Sequence, residues 1–247
     1  MKVLILAAGY GTRLYPIVKD TPKPLLKIHG TPLIDYLVDK VKDFRGLSEI
    51  LVVTNNKFYA DFCKWSKGFS GLQAKVTVVN DGTNTPDDRL GSIGDIEFVL
   101  KHQNIQEDLF VLGGDNLFDY RLDEFVVFAQ AQSPNVSIGL YDIQEKKEAT
   151  RFGVVELCPN SRKVLSFEEK PAQPRSTLIA MCSYYFPQAS LGLLREYLNE
   201  TQKADKAGDY IHWLVSKKEV YGFQFEGSWY DIGSVESLKE AQSKFKP

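Results

Sequence analysis

Apolar residues follow two rhythms along this chain. Short apolar runs at Val3 to Ala8 and Glu49 to Thr54 have the pattern of strands buried on both sides, and the runs Lys75 to Val79 and Asp108 to Leu112 read as a third and a fourth strand. Between the first two runs, Leu33, Ile34, Leu37, Val38, Val41 and Phe44 recur at helical spacing. They predict a helix capped by Thr31, with Pro32 in its first turn and Gly46 closing it. Helical patterns also cover 58–66, 93–103 and 122–132. Strands alternating with helices imply parallel βαβ units, in which ligands bind at the carboxyl ends of the strands. After the run Val136 to Tyr141 the rhythm changes. Residues 143–151 are charged, and strand-like runs then crowd together at 152–157, 164–167 and 179–186 with few helices between them. This predicts a second, mixed or antiparallel sheet region packed beside the first. Helical patterns at 188–200, 209–217 and 234–245 complete the chain. The expected architecture is a single α/β domain over 1–247: a Rossmann-like, mostly parallel sheet flanked by helices over about 1–141, a smaller mixed-sheet lobe over 142–233, and a closing helix over 234–247.

Composition narrows the function classes. Apolar content of 43%, charged content of 25% and a net charge of −2 describe an ordinary globular protein. They give no electrostatic reason to expect nucleic acid or an anionic membrane surface. Cys63, Cys158 and Cys182 are odd in number and contain no CxxC, so neither a disulfide framework nor a zinc site is expected, and each reads as a small buried hydrophobe. His29, His102 and His212 lack metal-ligand spacing and read as structural. The N-terminal apolar run is too short for a signal peptide, and no window approaches a membrane span. A cytoplasmic enzyme is the expectation.

The chemistry is concentrated in Lys2 to Pro24, KVLILAAGYGTRLYPIVKDTPKP. Gly9 and Gly11 follow the first strand and leave backbone N–H groups open to an anion. Arg13 adds a guanidinium, and Lys23 an ammonium held between two prolines. This combination suits a triphosphate. Two other phosphate motifs are excluded. A dinucleotide fingerprint from Gly9 would need glycine or alanine where Leu14 stands, and Pro16 forbids the helix that should follow. A P-loop string does not occur. Asp115, just past the fourth run, either caps a turn or holds Mg²⁺, which favours one or two carboxylates completed by phosphate and water. In Glu168-Glu169-Lys170-Pro171, proline restricts Lys170 to an extended conformation. Glu169 and Lys170 would face opposite ways in a regular strand, so only a distorted strand end aims both at one ligand.

LAAGYGTRLYP with TPKPLLKIHGTPLIDY closely resembles the N-terminal signature of the sugar-1-phosphate nucleotidylyltransferases, which include glucose-1-phosphate thymidylyl-, uridylyl- and cytidylyltransferases. Further matches, GGDN at 113–116, RFGVVE at 151–156, FEEKP at 167–171 and WYDIG at 229–233, occur in the family's order over nearly the whole chain. The resemblance implies transfer of a nucleoside monophosphate from a nucleoside triphosphate to a sugar 1-phosphate, with dTTP or UTP and glucose 1-phosphate favoured. It implies nucleotide contacts from Leu6, Ala8, Gly9, Gly11, Thr12, Asn80 and Gly91. Arg13 would hold the β and γ phosphates, Lys23 the α-phosphate, and Lys170 the attacking sugar phosphate. Gly153, Glu169 and Cys182 would meet the sugar, in the smaller lobe. Asp115 and Asp231 would bind Mg²⁺. The chain departs from the family at Asn80, where many relatives carry glutamine, and at Cys182-Ser183, where glucose-specific relatives often carry Thr-Gly. A cytidylyltransferase acting on phosphocholine or another phospho-alcohol, and a non-catalytic regulatory subunit on the same fold, are the competing readings. A homo-oligomer is compatible with all of them.

Overall fold

In the computed structural model, β1 (Lys2–Leu6) sits inside a nine-stranded sheet because it has no polar side to offer. The structure describes residues 1–15 and 19–246; the side chain of Arg13 lies outside this description. The other elements are β2 (Lys27–Ile28), β3 (Thr31–Pro32), α1 (Leu33–Val41), β4 (Glu49–Thr54), α2 (Tyr59–Ser66), β5 (Lys75–Asn80), α3 (Gly91–His102), β6 (Leu109–Gly113), β7 (Asn116–Phe118), α4 (Asp123–Ala131), β8 (Val136–Asp142), α5 (Lys146–Ala149), β9 (Gly153–Leu157), β10 (Val164–Glu169), β11 (Leu178–Phe186), α6 (Gly192–Thr201), α7 (Ala207–Lys217), β12 (Val220–Phe225), β13 (Trp229–Asp231) and α8 (Val235–Lys244).

β1 pairs in parallel with β4 on one side and β6 on the other. Alternation then sorts the side chains. Leu4, Leu51, Val53, Leu109 and Val111 join α3, α6 and α7 in one core. Val3, Ile5, Ile50, Val52, Phe110 and Leu112 join α1, α2 and α4 in the other. All eleven are essentially inaccessible, and each such side chain contributes roughly 1.5–3 kcal/mol by leaving water. This two-sided burial is what the unbroken apolar runs encoded.

The mixed region does not form a separate sheet beside the first. β11 is nine residues long and joins the two. Its C-terminal half pairs antiparallel with β6, its N-terminal half with β9, and β8 runs along its other edge. One continuous sheet results, ordered β10-β9-β11-β6-β1-β4-β5, with β8 beside β11 and β12 beside β8. The helix expected from Thr31 starts at Leu33 instead. His29 and Gly30 take positive φ angles of 50° and 85°, and Thr31 and Pro32 return as β3 to pair with β2. Pro32 is therefore the N-cap residue. The helix ends at Val41, and Gly46, at φ 76°, closes a further turn. α8 opens on a capping box between Ser234 and Ser237 and buries Leu238, Ala241 and Phe245 against Ile28, Leu33, Leu117 and Ile232.

The three histidines each bond a backbone carbonyl, of Phe245, Phe98 and Phe167 in turn. The cysteines are free but half-buried, so the expectation of buried hydrophobes does not hold. Among the described residues the exposed large hydrophobics are Tyr15, Tyr59, Val127 and Leu165, so the smaller lobe carries no exposed aromatic face. No helix among the described residues is long and apolar enough to cross a membrane.

Candidate active site

Strand ends build the site. At the end of β1 the chain is held by Ala7 N–H donating to Val53 O (2.9 Å) and by Asn55 Nδ2 donating to Ala8 O (2.8 Å). The glycine loop then leaves the sheet, with Gly11 at φ 62°. A Cβ placed on Gly9 would meet no protein atom within 4 Å. Nothing among the described residues requires glycine there, and the open backbone faces free space. Gly113 and Gly114 differ. A Cβ at Gly114 would press on Leu6 O, and one at Gly113 on Asn116 and Cys182. Glycine at 114 lets the end of β6 close against β1, with Gly114 N–H donating to Leu6 O at 2.9 Å, and glycine at 113 leaves room for Asn116 and for Cys182 of β11. Asp115 is thereby brought beside the loop.

Asp115 is where the predicted groups converge. Lys23, in a 3₁₀ turn between its prolines, donates from Nζ to Asp115 Oδ2 at 2.9 Å. β13 pairs antiparallel with β7, Asp231 lies opposite Asn116, and Ile232 N–H donates to Asp115 O. The fold thus sets Asp231 beside Asp115. Their two carboxylates, together with burial, push the Cys182 thiol up, so it stays protonated. Burial acts first, and the proximity of both carboxylates adds to it.

Two cavities meet at this point. One, of about 300 Å³, is lined by Leu6, Ala8, Gly9, Gly11, Lys23, Gly91 and Asp115, among others. The second, of about 410 Å³, is lined by Gly153, Glu169, Lys170 and Asp231, among others. Asp115 and Cys182 belong to both walls. β11 explains the opening. It pairs with β9 through Ala180 and with β6 from Ser183, and Cys182 stands at the break between them. A third hollow, of about 380 Å³, follows the glycine loop past Thr12 to Lys23 and Arg89.

On the second cavity's wall, β10 ends at Glu169, and Lys170 has φ 49°. The extended conformation expected for Lys170 is not adopted; this left-handed residue distorts the strand end so that both side chains line one cavity. Lys170 Nζ lies 3.7 Å from Glu169 Oε1. Burial raises the Glu169 pKa, and the ammonium groups of Lys170 and Lys206 oppose the shift. Gly153 is needed for packing as well, since a Cβ there would strike the Phe167 ring. Trp229 closes the cavity beside Phe152, with its indole N–H on Asn116 Oδ1 at 2.7 Å.

One expected contact lies elsewhere. Asn80 lines neither cavity; its amide donates to Asn56 Oδ1 and its oxygen accepts from Gly82 N–H. The next residue, Asp81, faces the first cavity with Asp95 of α3. Both are 6% exposed. Asp81 Oδ1 accepts from Thr83 N–H and Oγ1, and Tyr10 of the glycine loop donates to Thr83 Oγ1. Asp95 Oδ1 is buried with no partner. Burial, reinforced by the Asp81 charge, pushes Asp95 up to about 8. One proton therefore stays in this pair at neutral pH. Arg89, Ser92 and Asp205 complete the wall. Sequence reasoning missed Asp81, Asp95, Arg89 and Asp205, and Arg13, which it named, falls outside the described side chains.

The arrangement has one polyanion-sized cleft with a bare glycine loop, cations beside carboxylates, and a second polar cavity across a shared wall. A family model described as nucleotidyl transferase matches residues 2–246, and the chain belongs to this family. Among solved structures, one assigned as a glucose-1-phosphate thymidylyltransferase of Bacillus anthracis, in complex with a sucrose, is similar with a TM-score of 0.83 at 25% identity, covering 100% of this chain and 97% of that one. A UDP-glucose pyrophosphorylase complexed with UDP-glucose has a TM-score of 0.80 at 22% identity, covering 98% and 97%. The apo form of a UDP-glucose pyrophosphorylase gives 0.79 at 23%, covering 98% and 96%. At the identities of these last two, the likeness concerns the fold.

Proposed function

We propose that this nucleotidyl transferase moves a nucleoside monophosphate from a nucleoside triphosphate to a sugar 1-phosphate, releasing pyrophosphate. The observation that carries the reading is the shared wall: Asp115, paired to Lys23, borders both cavities. A nucleotide on the glycine-loop side and a sugar phosphate on the Glu169–Lys170 side would meet there. The first solved neighbour, assigned as a glucose-1-phosphate thymidylyltransferase, supports glucose 1-phosphate as acceptor. A cytoplasmic setting goes with this reading, since nucleoside triphosphates are abundant there.

Lys23 would hold the α-phosphate and stabilise charge at the reacting centre, and Lys170 would orient the attacking phosphate. Arg13 would hold the leaving pyrophosphate. Such transfers depend on positioning and charge stabilisation more than on proton transfer. The attacking phosphate is already ionised near neutral pH, so no general base is required, and the three histidines bound to carbonyls raise no difficulty. The donor set suits Mg²⁺. Asp115 and Asp231 are adjacent hard oxygen ligands, and among the described residues no larger cluster of His, Cys, Asp or Glu competes with them. When bound, the metal would polarise the α-phosphate and offset anionic repulsion.

The test is Mg²⁺-dependent pyrophosphate release, pairing each nucleoside triphosphate with a panel of sugar 1-phosphates and with phosphocholine. Release in a sugar pairing is expected. Release with phosphocholine alone would move the acceptor to the phospho-alcohols, and silence with every pair would refute the reading.

A further inference from the structure

We propose that Arg89 is a triphosphate-binding residue kept in reserve by Asp205, so that the incoming nucleotide and Asp205 compete for one guanidinium. This rests on the nucleotidyl-transfer reading above. Arg89 borders both the first cavity and the hollow along the glycine loop. Among the described side chains, only Lys23 shares that position as a cation, and Lys23 is already engaged by Asp115. The first cavity's wall also holds Asp81, Asp95 and Asp205. Among the described side chains, a polyanion entering it meets more carboxylates than cations, and Arg89 turned towards it would narrow that imbalance.

The geometry favours such an exchange. Arg89 Nε donates to Asp205 Oδ1 at 3.1 Å and Nη2 to Oδ2 at 3.2 Å, while Nη1 donates to Pro86 O. This two-pronged fork fits a phosphate as well as a carboxylate. The two side chains are 52% and 56% exposed, and a pair so open to water holds its partner weakly. The surrounding backbone does not depend on the Asp205 charge. Ser92 N–H donates to Asp205 O, and the N–H groups of Ile93 and Gly94 donate to Ala204 O. Those bonds tie the start of α3 to the chain before α7 and survive when the carboxylate is neutralised. Asp205→Asn therefore removes the competitor and leaves the strap.

The experiment is calorimetric titration of each nucleoside triphosphate, and of its monophosphate, into the wild type, Arg89→Ala, Arg89→Lys, Asp205→Asn and the Arg89→Ala/Asp205→Asn double variant. Melting curves would confirm that each is folded. Arg89→Ala is expected to weaken the preferred triphosphate at least tenfold and the monophosphate much less. Arg89→Lys should restore only part, because an ammonium cannot form the fork. Asp205→Asn should tighten the triphosphate several-fold, and that gain should vanish in the double variant, since it acts through the guanidinium. Unchanged triphosphate affinity in Arg89→Ala would overturn the proposal. So would a loss in Asp205→Asn equal to that in Arg89→Ala, which would make the pair a structural strap. A gain from Asp205→Asn that persists without Arg89 would reduce the effect to general charge and overturn it equally. If the wild type bound no triphosphate at all, the nucleotidyl-transfer reading itself would fall, and the proposal with it.

Discussion

Asp95 offers the sharpest stability test, because its carboxyl holds a proton that an unfolded chain would release. Its ordinary value is 3.8, and burial, with the Asp81 charge beside it, pushes it up to about 8. Between those pH values the folded state binds one more proton than the unfolded state. Stability from this group is therefore fully present below about pH 4, falls as pH rises, and is lost once pH passes about 8. Each pH unit across this window changes the balance by about 1.4 kcal/mol at most. At pH 7 the accumulated cost reaches roughly 4 kcal/mol as an upper bound. Asp81 shares the proton, so about half of that is a reasonable expectation for Asp95 alone.

Asp95→Asn removes the titration and keeps the shape, and its amide can donate to Asp81. The variant is expected to gain about 2 kcal/mol at pH 7, which for a chain of this size raises the melting temperature by roughly 4–8 °C. It should gain nothing near pH 4. Urea unfolding midpoints and thermal melts of both proteins across pH 4 to 9 measure this directly. Two parallel curves, with the same decline between about pH 4 and pH 8, would refute the reasoning: the proton would not be held at Asp95. Asp95→Ala serves as a control that loses packing as well as charge.

Lys23→Ala removes a cation that borders the first cavity and the hollow along the glycine loop and should lower turnover about a hundredfold, roughly 3 kcal/mol, by analogy with loss of one oxyanion donor; near-normal steady-state rates would rule out its assigned role. Asp115→Asn should flatten the Mg²⁺ dependence of the rate without unfolding the protein, and overlaying metal titrations of the two proteins would remove Asp115 from the ligand set. Gly208→Ala places a Cβ where Glu169 Oε2 lies, in the first turn of α7. KM for the sugar phosphate should rise about tenfold, or roughly 1.4 kcal/mol, with KM for the triphosphate unchanged. The melting temperature should not fall, since alanine favours a helix over glycine. A fall in stability with an unaltered KM would place Glu169 outside the acceptor site.

How much of this was written in the sequence depends on how local each feature is. The unbroken runs of β1, β4 and β6 were legible because burial on both faces leaves no polar position. The glycine loop was legible because Gly9, Gly11 and Lys23 are close in sequence. β12 was not anticipated: Gly222 and Gln224 interrupt its apolar residues, and it is fixed by pairing with β8. The continuity of the sheet was hidden too, since only the length of β11 hints that it serves both regions. Asp95 left a fainter signal. It lies four residues before buried Val99 on α3, so a carboxylate occupies the inward stripe of that helix. Asn80, named from the resemblance, bonds Asn56, and it is the next residue, Asp81, that lines the first cavity.

Charge pairing was the least legible property, and it bears most on function. Lys23 and Asp115 are separated by 92 residues, Arg89 and Asp205 by 116. No window of sequence brings them together. Yet along the two cavities the cations stand beside carboxylates, Lys23 on Asp115, Arg89 on Asp205 and Lys170 near Glu169. A site for two anionic reactants has to hold several positive charges close together before either arrives. Isolated, they would repel one another and each would lose hydration without compensation. Pairing each with a carboxylate removes that cost while keeping the cation at the wall where, on the proposed reaction, a phosphate would sit. A phosphate can then replace the carboxylate, or a metal can take the carboxylate and leave the cation to the phosphate. On this logic the acidic residues around the cleft belong to anion binding as much as the basic ones do.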